Sequence, residues 1–189
     1  MRFLDALLGR TRPVKSRLEP LFALSTAYVT LHVNVGLETT GRAGICFRPL
    51  SSTRFEDAER ELRQLVEIGA RATETRFEFA QDDYGFRWIV LQDPDLEDLV
   101  AAMHMVSLTL QEHGFGEQLL AAVFKFHLGD RPVYWIYNYK RGAFYPLVPG
   151  PGERQRDNAQ ELRLRSLLER ELPMEKDLER WYPLWGIPL

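Results

Sequence analysis

Any chemistry this 189-residue chain performs would have to begin from a handful of side chains. Cys46 is the single cysteine. It lies between Ile45 and Phe47 and reads as a small buried hydrophobe, because no base stands near it in sequence to raise its thiolate fraction. The four histidines, His32, His104, His113 and His127, share no metal-ligand spacing. With one cysteine, a structural zinc site is not expected, nor any other metal or cofactor. His104 flanks the apolar stripe of a helix, and His113 falls in that helix's last turn, where a cation suits the dipole. Asp82 and Asp83 are adjacent acids in a turn, and turn chemistry accounts for both. The chain holds no phosphate loop, dinucleotide fingerprint, zinc-protease pair or nucleophile elbow.

The richest segment is Tyr134–Pro146, where Tyr134, Trp135, Tyr137, Tyr139, Phe144 and Tyr145 surround Lys140 and Arg141. Such a run either stacks bases and clamps anions or forms a sheet face whose hydroxyls reach the rim. Lys140 and Arg141 fall at the tip of a turn, free to contact a partner. Arg141, Arg156 and Asp157 gathered around an anion would make the aromatic sheet a small-molecule or nucleotide-binding enzyme, which is one reading of the chain. Trp181-Tyr182-Pro183-Leu184-Trp185 is a second aromatic cluster. It either packs on the sheet or presents Trp181 and Trp185 as a partner-binding hot spot.

The elements that would position these residues follow from periodicity. A helical stretch is expected over 17–24. Alternation of Tyr28, Thr30, His32 and Asn34 with Val29, Leu31, Val33 and Val35 predicts a strand over 27–35. A Thr39-Thr40-Gly41 turn would lead into a second strand, 42–48, making a hairpin. Thr53 and Glu56 match a capping box, ahead of a helix with Phe55, Ala58, Leu62, Leu65 and Val66 on one stripe and Gly69 closing it. A hairpin is expected around Asp82-Asp83-Tyr84-Gly85. Asp93 as cap and Pro94 at the first helical position would open a long helix with Leu96, Leu99, Val100, Met103, Val106 and Leu110 inward, ended by Gly114.

Residues 118–148 read as a three-stranded meander, with Leu120, Ala122, Phe124, Phe126 and Leu128 on one face of its first strand. Asp157-Asn158 caps a last long helix with Leu164, Leu167, Leu168 and Leu172 inward, and a short helix is expected near 174–181. Hairpins interrupted by helices, with no regular strand–helix–strand rhythm, indicate an α+β fold. Its mostly antiparallel sheet would be built from hairpins and the meander, and covered by helices.

Length fits one domain over 1–189, with 1–12 as a possible amphipathic appendage. Phe3, Leu4, Leu7 and Leu8 share one side of that segment, with Arg10 and Arg12 beyond it. It either docks on the domain's own core or anchors to a partner or an anionic membrane surface. Net charge is −3, which gives no global field toward nucleic acid. The basic N-terminus is balanced by an acidic block over 82–99. One cysteine and no visible signal peptide point to the cytoplasm.

Several segments together carry a family likeness: Gly41-Arg42-Ala43-Gly44, Asp83-Tyr84-Gly85, His113-Gly114-Phe115-Gly116, Tyr139-Lys140-Arg141-Gly142, Arg156-Asp157-Asn158 and Arg180-Trp181-Tyr182-Pro183-Leu184-Trp185-Gly186. From end to end the chain resembles the PspA-associated protein B family of the phage-shock, or envelope-stress, system. The resemblance implies a non-enzymatic, cytoplasmic adaptor or regulator that binds PspA, a coiled-coil protein, or a partner of PspA. Peripheral contact with the inner face of the membrane is a further expectation. The element order is also similar to that of secretion-chaperone-like α+β domains. The partner-binding candidates are Phe3, Leu7, Leu8, Arg10, Tyr139, Lys140, Arg141, Arg156, Asp157, Trp181 and Trp185, with no catalytic residue among them.

Overall fold

The computed structural model describes residues 16–72 and 74–189. The expected amphipathic segment with Phe3, Leu7, Leu8 and Arg10 lies outside the described residues. Helices α1 (Ala23–Thr30), α2 (Thr53–Ala72), α3 (Leu96–Glu112) and α4 (Asn158–Leu168) accompany six strands. These are β1 (Leu37–Phe47), β2 (Arg76–Gln81), β3 (Arg87–Gln92), β4 (Leu119–Leu128), β5 (Arg131–Asn138) and β6 (Ala143–Leu147). The strands form one sheet in the order β2-β3-β1-β4-β5-β6, with every neighbouring pair antiparallel. The fold is α+β, as the sequence indicates.

Alternation along the strands divides the sheet's side chains between two faces. Ala43, Ile45 and Phe47 of β1, Ile89 and Leu91 of β3, Phe124 and Phe126 of β4, and Trp135 and Tyr137 of β5 enter the main core with the helices. Their alternates Cys46, Trp88, Val123, Ile136, Tyr145 and Leu147 form a second apolar cluster on the opposite face. Among the described residues no helix contributes to that cluster. The C-terminal segment covers it instead, through Trp181, Leu184, Trp185, Ile187 and Leu189.

The first expected hairpin does not exist. Residues 27–35 belong to α1 and a π-helical turn over Leu31–Val35, not to a strand. Leu24, Ala27 and Leu31 are the buried positions, and their spacing is helical. Packing of that stripe overrides the β-branched alternation of Val29, Leu31, Val33 and Val35. Thr39-Thr40-Gly41 is no hairpin turn either. It is a bulge inside the continuous strand β1, where the register to β4 shifts between Thr39 and Arg42. Gly41 sits at φ 68°, and a Cβ there would meet the Asp93 carbonyl oxygen at 2.7 Å, so glycine is required on both counts.

Two helix caps lie away from the expected residues. Ser52 rather than Thr53 caps α2, its Oγ accepting from the Phe55 N–H at 3.2 Å. The helix then runs through Gly69 to Ala72; Leu65 is exposed, and the Val66 side chain lies outside the described residues. Asp95 caps α3, accepting from the N–H groups of Glu97 and Asp98. Asp93 is buried instead, taking the Thr75 hydroxyl at 2.6 Å and the Asp95 N–H. The α3 stripe, the β2–β3 hairpin, the meander and the Asp157 cap of α4 are as expected. A bulge at the start of β4, where Cys46 pairs with Ala121 but Phe47 with Leu119, turns Leu120 from the expected face to the second cluster. Leu167 is exposed rather than inward, and the helix expected near 174–181 is one 3₁₀ turn, Leu178–Arg180.

Candidate functional site

The aromatic meander is largely interior. Trp135, Tyr137, Tyr139, Phe144 and Tyr145 are buried, and the three tyrosine hydroxyls bond within the protein. Tyr137 donates to the Arg17 carbonyl oxygen at 2.8 Å, Tyr145 to the Tyr182 carbonyl oxygen at 3.0 Å, and Tyr139 shares a 2.6 Å bond with the Ser107 hydroxyl. Burial pushes all three phenols well above their ordinary range, so they remain neutral. Tyr139 thus props the β5–β6 turn from beneath and presents no surface.

At that turn Lys140 and Arg141 are both exposed, but their roles differ. Arg141 Nε donates to Glu175 Oε2 at 3.0 Å, tying the turn to the segment after α4. Burial raises and hydrogen bonding lowers the Glu175 carboxyl, whose net shift is downward: the Asp177 N–H and then Arg141 outweigh desolvation. Lys140 has no ion pair among the described residues. Arg156 is fully engaged, bonding both Glu161 oxygens through Nε and the Trp181 carbonyl oxygen through Nη1. Asp157 caps α4 by accepting from the Gln160 N–H at 3.0 Å and pairs with Arg131 at 2.7 Å. Those contacts, the Arg131 bond first, lower its carboxyl pKa. Arg141, Arg156 and Asp157 are therefore spent in separate structural pairs and do not converge on one anion. Trp181 is buried with its indole N–H donating to the Glu175 carbonyl oxygen at 3.0 Å, and Trp185 is half-buried.

Two features went unrecognised in the sequence. One is an exposed helical stripe: Phe22, Val29 and Val33 are 44%, 67% and 72% exposed, opposite Leu24, Ala27 and Leu31. Reading 27–35 as a strand hid it. The other is a cleft of about 360 Å³ on the second face of the sheet, beneath the C-terminal segment. Trp88, Cys46, Ala121 and Tyr145 lie along its floor, Phe86 and the β2–β3 turn on one side, and Tyr182 to Trp185 on another. Cys46 is buried there, and burial pushes its thiol up to about 12, so it is an apolar lining group and no nucleophile. Among the described residues no cluster of His, Cys, Asp or Glu could hold a metal ion, and no helix is long and apolar enough to cross a membrane.

The family model for PspA associated protein B matches residues 1–189. The chain belongs to that family. The match spans the described fold and every element of the cleft, the hairpin tip and the exposed stripe. No curated protein and no solved structure matches the chain. For this member of the family, function must therefore be argued from the family's stated association with PspA and from surface chemistry.

Proposed function

We propose that the protein is a non-enzymatic adaptor or regulator of the envelope-stress response that binds PspA or a PspA partner. Full-length membership of a family named for PspA association carries this reading. The exposed apolar side chains Phe22, Val29 and Val33 support it, carried on the helical segment that runs from the 3₁₀ turn Glu19–Phe22 through α1 into the π-helical turn. Such a face suits another helix, the form in which a coiled-coil protein offers its surface. Lys140 and Arg141 at the hairpin tip, Trp185 and the basic N-terminal segment remain candidates for flanking contacts, where charge supplies steering and register more than raw affinity.

The test is co-purification of the tagged full-length chain with PspA from the same genome, at low and at moderate salt. Co-elution is expected in both. Val29→Asp with Val33→Asp, two exposed positions, should leave the melting temperature unchanged and weaken binding by about tenfold or more. Failure to co-elute at either salt would sink the adaptor reading. Co-elution unaffected by the double variant would move the contact off this helix.

A further inference from the structure

The cleft beneath the C-terminal segment has a polarity that strand register makes explicit. One row of paired residues crosses the sheet at its level: Ala80 with Trp88, Trp88 with Cys46, Cys46 with Ala121, Ala121 with Asn138, and Asn138 with Ala143. Ala80, Cys46 and Ala121 are small, so the sheet is shallow along this row. The C-terminal segment bridges it without filling it.

Trp88 and Asn138 lie three strands apart, about 14 Å at ordinary strand spacing. The cleft runs along this row. Its β3 end is closed by Asp82, whose carboxylate is satisfied within the protein. Oδ1 accepts from the N–H groups of Tyr84 and Phe86, both at 2.9 Å, and Oδ2 from the Trp88 indole N–H at 2.9 Å. Along the middle, Cys46, Leu120, Ala121, Leu184 and Trp185 offer only apolar surface. At the β5 end stands Lys140, the exposed cation that pairs with nothing among the described residues. The Asn138 side-chain oxygen beside it is occupied by the N–H groups of Lys140 and Arg141.

We infer that this cleft binds a single-chain anionic amphiphile, its hydrocarbon chain along the Cys46–Ala121 trough and its carboxylate or phosphate head at Lys140. The volume lies within the range of small-molecule sites, which are mostly apolar with a few placed polar groups. The polar groups other than Lys140 that line the slot mostly face partners of their own, so an apolar chain displaces water without stranding a donor or acceptor. A neutral chain would gain the same burial but not the charge-assisted contact at one end. The β3 end carries the half-buried Asp82 carboxylate, and two intervening strands, β1 and β4, separate it from the head position. Orientation is thereby fixed, head at β5 and tail toward β3. The inference does not rest on PspA binding: it uses none of the residues on the exposed helix, although Lys140 and Trp185 are also among the flanking contacts proposed above.

Trp88 and Trp185 line the cleft and report on it. Dodecanoate, titrated into the full-length protein below its micellar concentration, is expected to change tryptophan fluorescence saturably with one site per chain. Lys140→Glu alters an exposed turn residue and should leave circular dichroism and melting temperature as they are. It should weaken dodecanoate by up to about fivefold, the upper worth of a partly exposed ion pair, while dodecanol binding changes less than about twofold. Ala121→Leu, filling the trough, should abolish both. If it unfolds the chain, Leu184→Trp from the opposite wall serves instead. Non-saturable partitioning, or equal losses for acid and alcohol in Lys140→Glu, would overturn the inference. So would binding to anionic vesicles without binding to free dodecanoate.

Discussion

Glu161 is a carboxylate enclosed on the inner side of α4, and each of its contacts is specific. Oε1 accepts the Val148 N–H at 2.9 Å, and Arg156 reaches both oxygens through Nε and pairs again through Nη2 at 2.8 Å. Arg156 in turn holds the Trp181 carbonyl oxygen, so one buried pair joins β6, α4 and the start of the C-terminal segment. A buried pair adds little over an apolar replacement of both partners, but removing one partner strands the other charge. Glu161→Ala should therefore cost about 3 kcal/mol or more, read as a lowered urea midpoint. Glu161→Gln, which keeps an acceptor for Val148, should lose less. Equal midpoints for Glu161→Ala and wild type would show that Arg156 finds another partner. This pair also explains why a basic residue followed by an acid, Arg156-Asp157, looks like an anion site in sequence without being one. Sequence shows the charges but not that Glu161, five residues on, already neutralises the arginine.

Between elements, His113 joins the end of α3 to α2. Its Nδ1 lies 2.8 Å from the Thr109 carbonyl oxygen, and its Nε2 lies 2.8 Å from Glu61 Oε2. Both partners are acceptors, and only the imidazolium donates from both nitrogens at once. The Thr109 carbonyl first, and then the Glu61 carboxylate, raise its pKa above the ordinary 6.5. A raised folded pKa adds stability that is fully present below the unfolded value and is lost as pH climbs through the folded one. The melting-temperature advantage of wild type over His113→Gln should thus be greatest at about pH 5.5 and shrink toward about pH 8.5. An advantage that grows with pH would contradict the bond pattern.

Element by element, legibility followed the strength of local signals. The β2–β3 turn, the meander and α3 declared themselves through glycine-bearing turns, alternation and a six-residue apolar stripe. Residues 27–35 did not, because Val29, Val33 and Val35 alternate like a strand while Leu24, Ala27 and Leu31 anchor a helix. Only tertiary packing decides between the two patterns: Leu24, Ala27 and Leu31 are fully enclosed in the main core, and the Tyr28 ring lies 6.0 Å from that of Phe126 on β4. The cleft was illegible for a different reason. It arises from cross-strand register between Ala80, Cys46 and Ala121, residues far apart in the chain.

At the scale of the molecule, the sheet carries apolar side chains on both faces but, among the described residues, helices on one. The face bearing Trp88, Val123, Ile136, Tyr145 and Leu147 is shielded by an irregular segment from Trp181 onward, which must remain in place without a helix's internal hydrogen bonds. Its fastenings are few and lie at its ends. Arg156 and Tyr145 hold the carbonyl oxygens of Trp181 and Tyr182. Lys125 Nζ holds the Leu189 oxygen at 2.9 Å, and Arg42 reaches the Pro188 carbonyl oxygen at 3.4 Å. Between these ends, Leu184, Trp185 and Ile187 adhere by apolar contact alone. Removing 183–189 should leave the helix-side core intact while uncovering the second face. Secondary structure by circular dichroism should survive, the melting temperature should fall with a loss of about 3 kcal/mol or more, and an apolar dye should bind the folded chain. Exposed sheet surface of this kind also drives self-association, so the truncated chain should elute from a sizing column earlier than its mass predicts. If the truncated chain melts as wild type does and binds no dye, the segment contributes nothing to the fold. The second face would then need another cover, and the cleft would have no roof.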